Sequence, residues 1–182
     1  MPRYPYADPA PAIAERIASL GGQPLNLYRV LGNQPSLLSA WVEFAYSLRR
    51  DCQSPRPLRE LMILRTAQMM QSAYEWHQHK IMARGAGVSE VQMAELATWR
   101  DSDTFDAREK AALRLTEAIV AGQVDDEAHR CAAALFSPAE MIELVLTAGF
   151  YCMVPRVLSA LAVTSDGEPG APSASSAEGG SA

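Results

Sequence analysis

Residues Leu58 to Met70 are apolar on almost every side of a helix. Leu61, Met62, Ile63, Leu64, Ala67, Met69 and Met70 leave it no continuous polar face. Such a helix is buried, in a core or inside an oligomer, because no side of it suits water. The rest of the chain must therefore be arranged to cover it. Glu60 and Arg65 interrupt the run, and charges in a buried helix need partners or a task. Directly afterwards comes Ser72-Ala-Tyr-Glu-Trp-His-Gln-His79. Nowhere else in the chain do acids, histidines and aromatics concentrate within a helical pattern, so chemistry is expected here.

At about 100° per residue, Ser72, Glu75 and His79 share one helical face. Glu75 and His79 form an i,i+4 pair within side-chain reach. His77 lies about 160° around the axis from His79, so one straight helix cannot bring both to one metal. Glu60 reaches the same place only if the helix breaks between Met70 and Ser72. The sequence has a local reason for such a break. Ser72-Ala-Tyr-Glu75 has the form of a capping box, with Ser at N-cap and Glu at N3. Capping alone explains both residues, and a site explains Glu75 equally well. For His79 the plain alternative is a hydrogen-bonded, half-buried histidine.

Elsewhere the pattern is helical throughout, with no Asn-Gly or Asp-Gly hairpin signal, and the fold class is all-α. Helices are expected over Pro9 to Leu20, Leu25 to Leu31, Pro35 to Arg50, Leu58 to Met70 and Ser72 to Arg84, the last closed by Gly85. Leu37, Trp41, Phe44 and Leu48 mark an apolar stripe on the third of these. Ser89-Glu-Val-Gln92, Asp106-Ala-Arg-Glu109, Asp125 or Asp126, and Ser137-Pro-Ala-Glu140 open later helices. The last runs from Met141 to Ala162, and Pro155 should kink it or end its first half. Phe150-Tyr151 before that proline suit a core or subunit interface better than a pocket. The third histidine, His129, has polar neighbours and reads as solvated.

Of 182 residues, those from about Thr164 onward lack large apolar side chains and are expected to form a disordered tail, 164–182. Residues 1–163 then make one domain. The net charge of −5 and the lack of a basic stripe argue against nucleic acid. The N-terminus has no apolar leader, and the longest near-apolar run, Met141 to Val154, contains Glu143 and is short for a bilayer, so no membrane partner is expected. Cys52, Cys131 and Cys152 form no C-x-x-C and read as reduced thiols of a cytoplasmic protein.

Arg59-Glu60-Leu61, Ile63-Leu64-Arg65, Tyr74-Glu75-Trp76, His79, Ala83 and Gly87 resemble the carboxymuconolactone decarboxylase or AhpD-like family. Met1-Pro-Arg-Tyr-Pro-Tyr6, Leu25-Asn-Leu-Tyr28 and Glu143 to Tyr151 extend the likeness to single-domain members. The resemblance implies an AhpD-like helical bundle of about seven to eight helices, oligomerising through apolar helices into trimers or hexamers. One branch of the family uses a Glu, a C-x-x-C pair and a His as a thiol–disulfide relay in peroxide reduction. Those positions fall on Glu60, Ser72, Glu75 and His79. A hydroxyl and a carboxylate cannot form a disulfide, so the relay needs Cys52 or Cys152 to fold beside the site. The other branch decarboxylates a lactone without metal or organic cofactor. It implies Glu60, Glu75 and His79 as catalytic groups on a small carboxylated or lactone-like substrate. His79, His77 and Tyr74 are candidates to stabilise developing charge, Arg65 to hold a substrate carboxylate, and Ser72 to line the same face. A non-catalytic binding or scaffold protein, and a metal enzyme on Glu60, Glu75 and His79, are the remaining alternatives; the family implies no metal or other cofactor.

Overall fold

The computed structural model describes residues 2–23, 25–164 and 166. Among them are nine α-helices and no strand: α1 Pro11–Ser19, α2 Asn26–Leu31, α3 Pro35–Arg50, α4 Arg56–Met69, α5 Ala73–Ala86, α6 Glu90–Glu95, α7 Ala107–Ala121, α8 Asp126–Ala133 and α9 Pro138–Leu161, with a 3-10 turn at Leu96–Thr98. The all-α class is as expected, with one helix more than the seven to eight implied by resemblance.

The chain forms two compact units. One contains the chain to Ser39 together with the described residues from Ala160. There the Ala7 N–H donates to the Arg29 carbonyl at 2.9 Å. A Cβ on Gly32 would stand 2.5 Å from the Ala7 carbonyl oxygen, so only glycine allows that approach. Thr164 and Asp166 are tied to this unit: the Asn26 N–H donates to Asp166 at 2.6 Å and its side-chain amide to the Thr164 carbonyl at 3.2 Å. The expected tail is therefore anchored in its first residues; Ser165 and residues 167–182 lie outside the described residues.

The other unit, Ala40–Ser159, is built on α4. Leu58 and Met62 pack with Ala112 and Leu115 of α7, Phe136, and Leu144 and Ala148 of α9. Leu61 and Leu64 pack oppositely, with Ala83 of α5, Val88, Leu96, Trp99, Phe105 and Leu113. This explains why α4 is apolar all round: its own chain covers it, without need of a second subunit. Each large side chain so buried contributes about 1.5–3 kcal/mol.

Three expectations need correction. On α3 the buried residues are Leu38, Val42, Ala45, Tyr46 and Leu48, whereas Leu37 and Phe44 are exposed. Helix α5 ends at Gly87, with φ +102°, and Gly85 lies inside it. Pro155 does not end α9, which runs unbroken over 24 residues. That length and composition would suffice to cross a bilayer. Its face bearing Met141, Leu144 and Ala148 is instead buried in the core. Its other face exposes Ile142, Val145, Leu146 and Met153.

Candidate functional site

The break between α4 and α5 is a Schellman turn. The Ser72 N–H donates to the Ala67 carbonyl at 2.9 Å and the Gln71 N–H to that of Gln68 at 3.1 Å. Gln71 takes φ +53°, a position glycine usually fills. The turn folds α5 back on α4, so residues 19 apart in sequence meet. His79 Nδ1 lies 2.8 Å from Glu60 Oε2.

Ser72 is the N-cap, its hydroxyl accepting from the Glu75 N–H at 3.4 Å. The reciprocal half of the expected capping box is absent, since the Ser72 N–H is spent on Ala67. The Glu75 carboxylate turns inward, with Oε2 3.5 Å from His79 Nε2. Glu60, His79 and Glu75 thus make a buried line, with the imidazole between two carboxyl groups. All three are buried, Glu60 completely, so His79 is more deeply buried than the half-buried alternative supposed.

The two carboxyl groups are driven apart. Burial alone would raise the Glu60 pKa, but the hydrogen bond to His79 and the charges of His79, Arg56 and Arg49 hold it below the usual carboxylate value. Arg56 also pairs with Glu60 directly, one helical turn away. Burial raises the Glu75 pKa and outweighs the attraction of His79 and Arg49, with a smaller upward push from the charge of Glu60. An ionised Glu60 can only accept, so it fixes the proton of His79 on Nδ1 and leaves Nε2 to exchange a proton with Glu75. Oppositely shifted carboxyl groups are the usual basis for dividing acid and base roles.

Sequence reasoning missed part of the site. Tyr151 of α9, judged better suited to core or interface, stands edge-on to the imidazole with ring centroids 4.8 Å apart. Arg49, in the last turn of α3, exerts its charge on Glu60, Glu75 and Tyr151 together. It carries no local signal, because a basic residue at a helix C-terminus is ordinary. Tyr151 had one, as one of the few polar positions in the mostly apolar stretch between Glu143 and Arg156.

The structure does not bring every expected residue here. Arg65 is held by Glu117 at 2.7 Å and by Gln68 at 2.9 Å, in a separate cluster. His77 is exposed, on the outer face of α5 with Ile81 and Arg84, as is His129 on α8. Tyr74 is half-buried, about 100° around the helix from Glu75. Cys52 lies against the Leu48 carbonyl at 3.4 Å, and burial pushes its thiol pKa up; burial does the same to Cys152, whose charged neighbour is Arg156. Glu60 and Glu75 flank His79 on opposite ring edges, and no group of three His, Cys, Asp or Glu suited to a metal occurs among the described residues.

The buried carboxylate–imidazole–carboxylate line sits in an all-helical chain with an AhpD-like fold. A model of the carboxymuconolactone decarboxylase family matches residues 35–118, the segment that holds Glu60, Glu75 and His79. The matched segment is less than half of the chain, and it marks a resemblance to the carboxymuconolactone decarboxylase/AhpD-like family. The uncharacterized protein YdfG of Bacillus subtilis (strain 168) is 32% identical over 94 residues, half of this chain. The chain spans 64% of that relative's length. A peroxidase-related protein with an alkylhydroperoxidase AhpD core, from Ralstonia eutropha JMP134, shares the fold at TM-score 0.77 and 17% identity, over 92% of this chain and 93% of that one. The debrominase Bmp8 shares it at TM-score 0.75 and 18% identity, over 87% and 88%.

Proposed function

We propose that the chain is a cofactor-independent acid–base enzyme, a decarboxylase-like lyase or isomerase of a small carboxylated or lactone-like substrate. The observation that carries this reading is the buried Glu60–His79–Glu75 line, whose carboxyl pKa values move in opposite directions. Glu60 orients His79. Glu75, kept closer to neutral titration by burial, gives or takes the proton together with His79 Nε2. In a decarboxylation the carbon–carboxylate bond breaks and carbon dioxide leaves. The electron pair moves onto a conjugated carbonyl, and the resulting enolate takes a proton on carbon from Glu75 or His79. In an isomerisation the same pair removes a proton beside a carbonyl and returns it elsewhere.

The thiol–disulfide alternative lacks a thiol at the Ser72 and Glu75 positions, and burial makes Cys52 and Cys152 less acidic than free thiols. The proposed setting is cytoplasmic. The exposed Ile142, Val145, Leu146 and Met153 stripe is where further copies would dock in a trimer or hexamer.

The test begins with a thermal-shift screen of wild type and Glu75→Gln against small aromatic acids, lactones and keto acids. Hits are then assayed for turnover. His79→Ala and Glu75→Gln should each reduce turnover about 10²–10⁴-fold while circular dichroism stays helical. Unchanged turnover in both variants would falsify the reading.

A further inference from the structure

We propose that Tyr151 is a further catalytic residue: its phenolic O–H, with the Thr147 hydroxyl one helical turn away, donates to the substrate oxygen on which negative charge develops. This rests on the acid–base reading above and supplies what that reading lacks, a donor for the enolate.

Tyr151 and Thr147 are 3% and 1% exposed, yet neither hydroxyl has a partner in hydrogen-bond geometry. Buried hydroxyls are ordinarily satisfied, and the exceptions call for an explanation. The two lie at i and i+4, on one face of α9. Glu143, a further turn back on the same face, is fully occupied by the Gln53 and Ser54 N–H groups, both at 2.8 Å. Thr147 does not make the i−4 carbonyl bond that Thr66 and Thr116 both make.

The groups acting on Tyr151 are Arg49 from α3, Glu60 from α4 and Glu75 from α5, with the His79 ring against its own. Arg49 is close enough to favour the phenolate slightly, but a guanidinium has donors only. Whatever Arg49 gives to the phenol oxygen, the phenol proton still has no acceptor. Burial keeps that proton on, so the group is a donor rather than a base. Pro155, four residues on, has no N–H for the Tyr151 carbonyl, so α9 is also less tightly bonded at this turn. A neutral donor beside a fixed positive charge, next to the proton-transfer pair, is the arrangement an enolate oxygen requires.

Binding of 4-nitrophenol, followed by its visible absorbance, tests the donor without turnover, because the phenolate mimics an enolate. Wild type should bind the phenolate and lower its apparent pKa. Tyr151→Phe should weaken binding about tenfold or more, the effect of losing one charge-assisted hydrogen bond. Thr147→Val should weaken it less. Glu75→Gln should bind at least as tightly as wild type, having lost a competing negative charge. Tyr151→Phe should melt no lower than wild type, since it removes an unsatisfied hydroxyl. Equal affinity of wild type and Tyr151→Phe, no binding by wild type, or a lower melting temperature in Tyr151→Phe without loss of affinity would each overturn the proposal. Probe affinity reports on Tyr151 and turnover in Glu75→Gln reports on the acid–base pair, so the two readings fail separately.

Discussion

Two charged clusters lie on α4, five residues apart in sequence, one half-buried and one buried, and they are built differently. At the first, Glu117 of α7 accepts from Arg65 and from the Trp99 indole, at 2.7 and 2.8 Å, and from Arg100. Arg100 in turn stacks over Trp99 at 4.5 Å. Burial would raise the Glu117 pKa, but hydrogen bonds from Arg100, Trp99 and Arg65 outweigh it. Each carboxylate oxygen has a donor. At the second, Glu60 and Glu75 share one imidazole, Glu75 is held with its pKa raised, and the Tyr151 proton has no acceptor. A satisfied cluster stabilises a fold, whereas an incompletely satisfied one is costly unless a ligand completes it. The difference is the reason the proposed chemistry is assigned to the second cluster rather than to Arg65.

The largest stability effect should therefore fall on the cluster without a catalytic part. Glu117→Ala leaves Arg65 and the Trp99 N–H without their acceptor. Breaking a fully buried pair costs 3–5 kcal/mol, and Glu117 is partly exposed, so about 2–3 kcal/mol is expected. Urea denaturation measures it, and turnover per folded molecule should not change. A neutral Glu117→Ala would remove the contrast.

At the site the two carboxylates should respond oppositely to pH. Glu60 has a depressed pKa, so it stabilises fully above its unfolded value, near 4.5, and that contribution is lost as pH falls through the folded value. Glu60→Gln should be less stable than wild type by about 2 kcal/mol at neutral pH, a gap that closes below pH 4.5. Glu75 has a raised pKa, so its ionisation costs stability only as pH rises above 4.5. Glu75→Gln should match wild type in acid and exceed it by about 1 kcal/mol at neutral pH, while losing activity. Melts at pH 4 and pH 7.5 decide this. Glu75→Gln less stable than wild type at pH 7.5 would make the Glu75 carboxylate a structural partner of His79.

What was legible in the sequence depended on range. Helix starts at Ser89, Asp106 and Ser137 follow from side chains bonding backbone three residues away, so composition within four positions suffices. The same locality misled at Ser72, where the pattern is present but Glu75 has a better use for its carboxylate across the helix. Glu60 and His79 could be paired in advance because they are joined only through one turn. Arg49 and Tyr151 reach the site from α3 and α9, and nothing in their own neighbourhoods says which helices will pack together. The α3 stripe was misassigned for a related reason. Leu37 and Leu38 are both apolar, and only packing decides which of two adjacent registers is buried.

The smallest effect expected concerns the turn that assembles the site. Gln71 holds φ +53° to complete the Schellman turn, and a left-handed residue other than glycine costs about 1–2 kcal/mol. Gln71→Gly relieves that strain but gains freedom in the unfolded chain, so the net should be stabilising by about 0.5–1 kcal/mol. Because the turn keeps its conformation, the Glu60–His79 contact, turnover and the pH 4.5 pivot should all persist. Gln71→Val, β-branched in the same conformation, should destabilise instead and reduce turnover, since α5 can relax only by moving His79 away from Glu60. The Glu117 cluster, whose members lie on α4, α7 and the segment after α6, does not depend on this turn. If Gln71→Val disturbed the absorbance or fluorescence of Trp99 as much as it disturbed turnover, the two clusters would be one cooperative network rather than a structural one and a functional one.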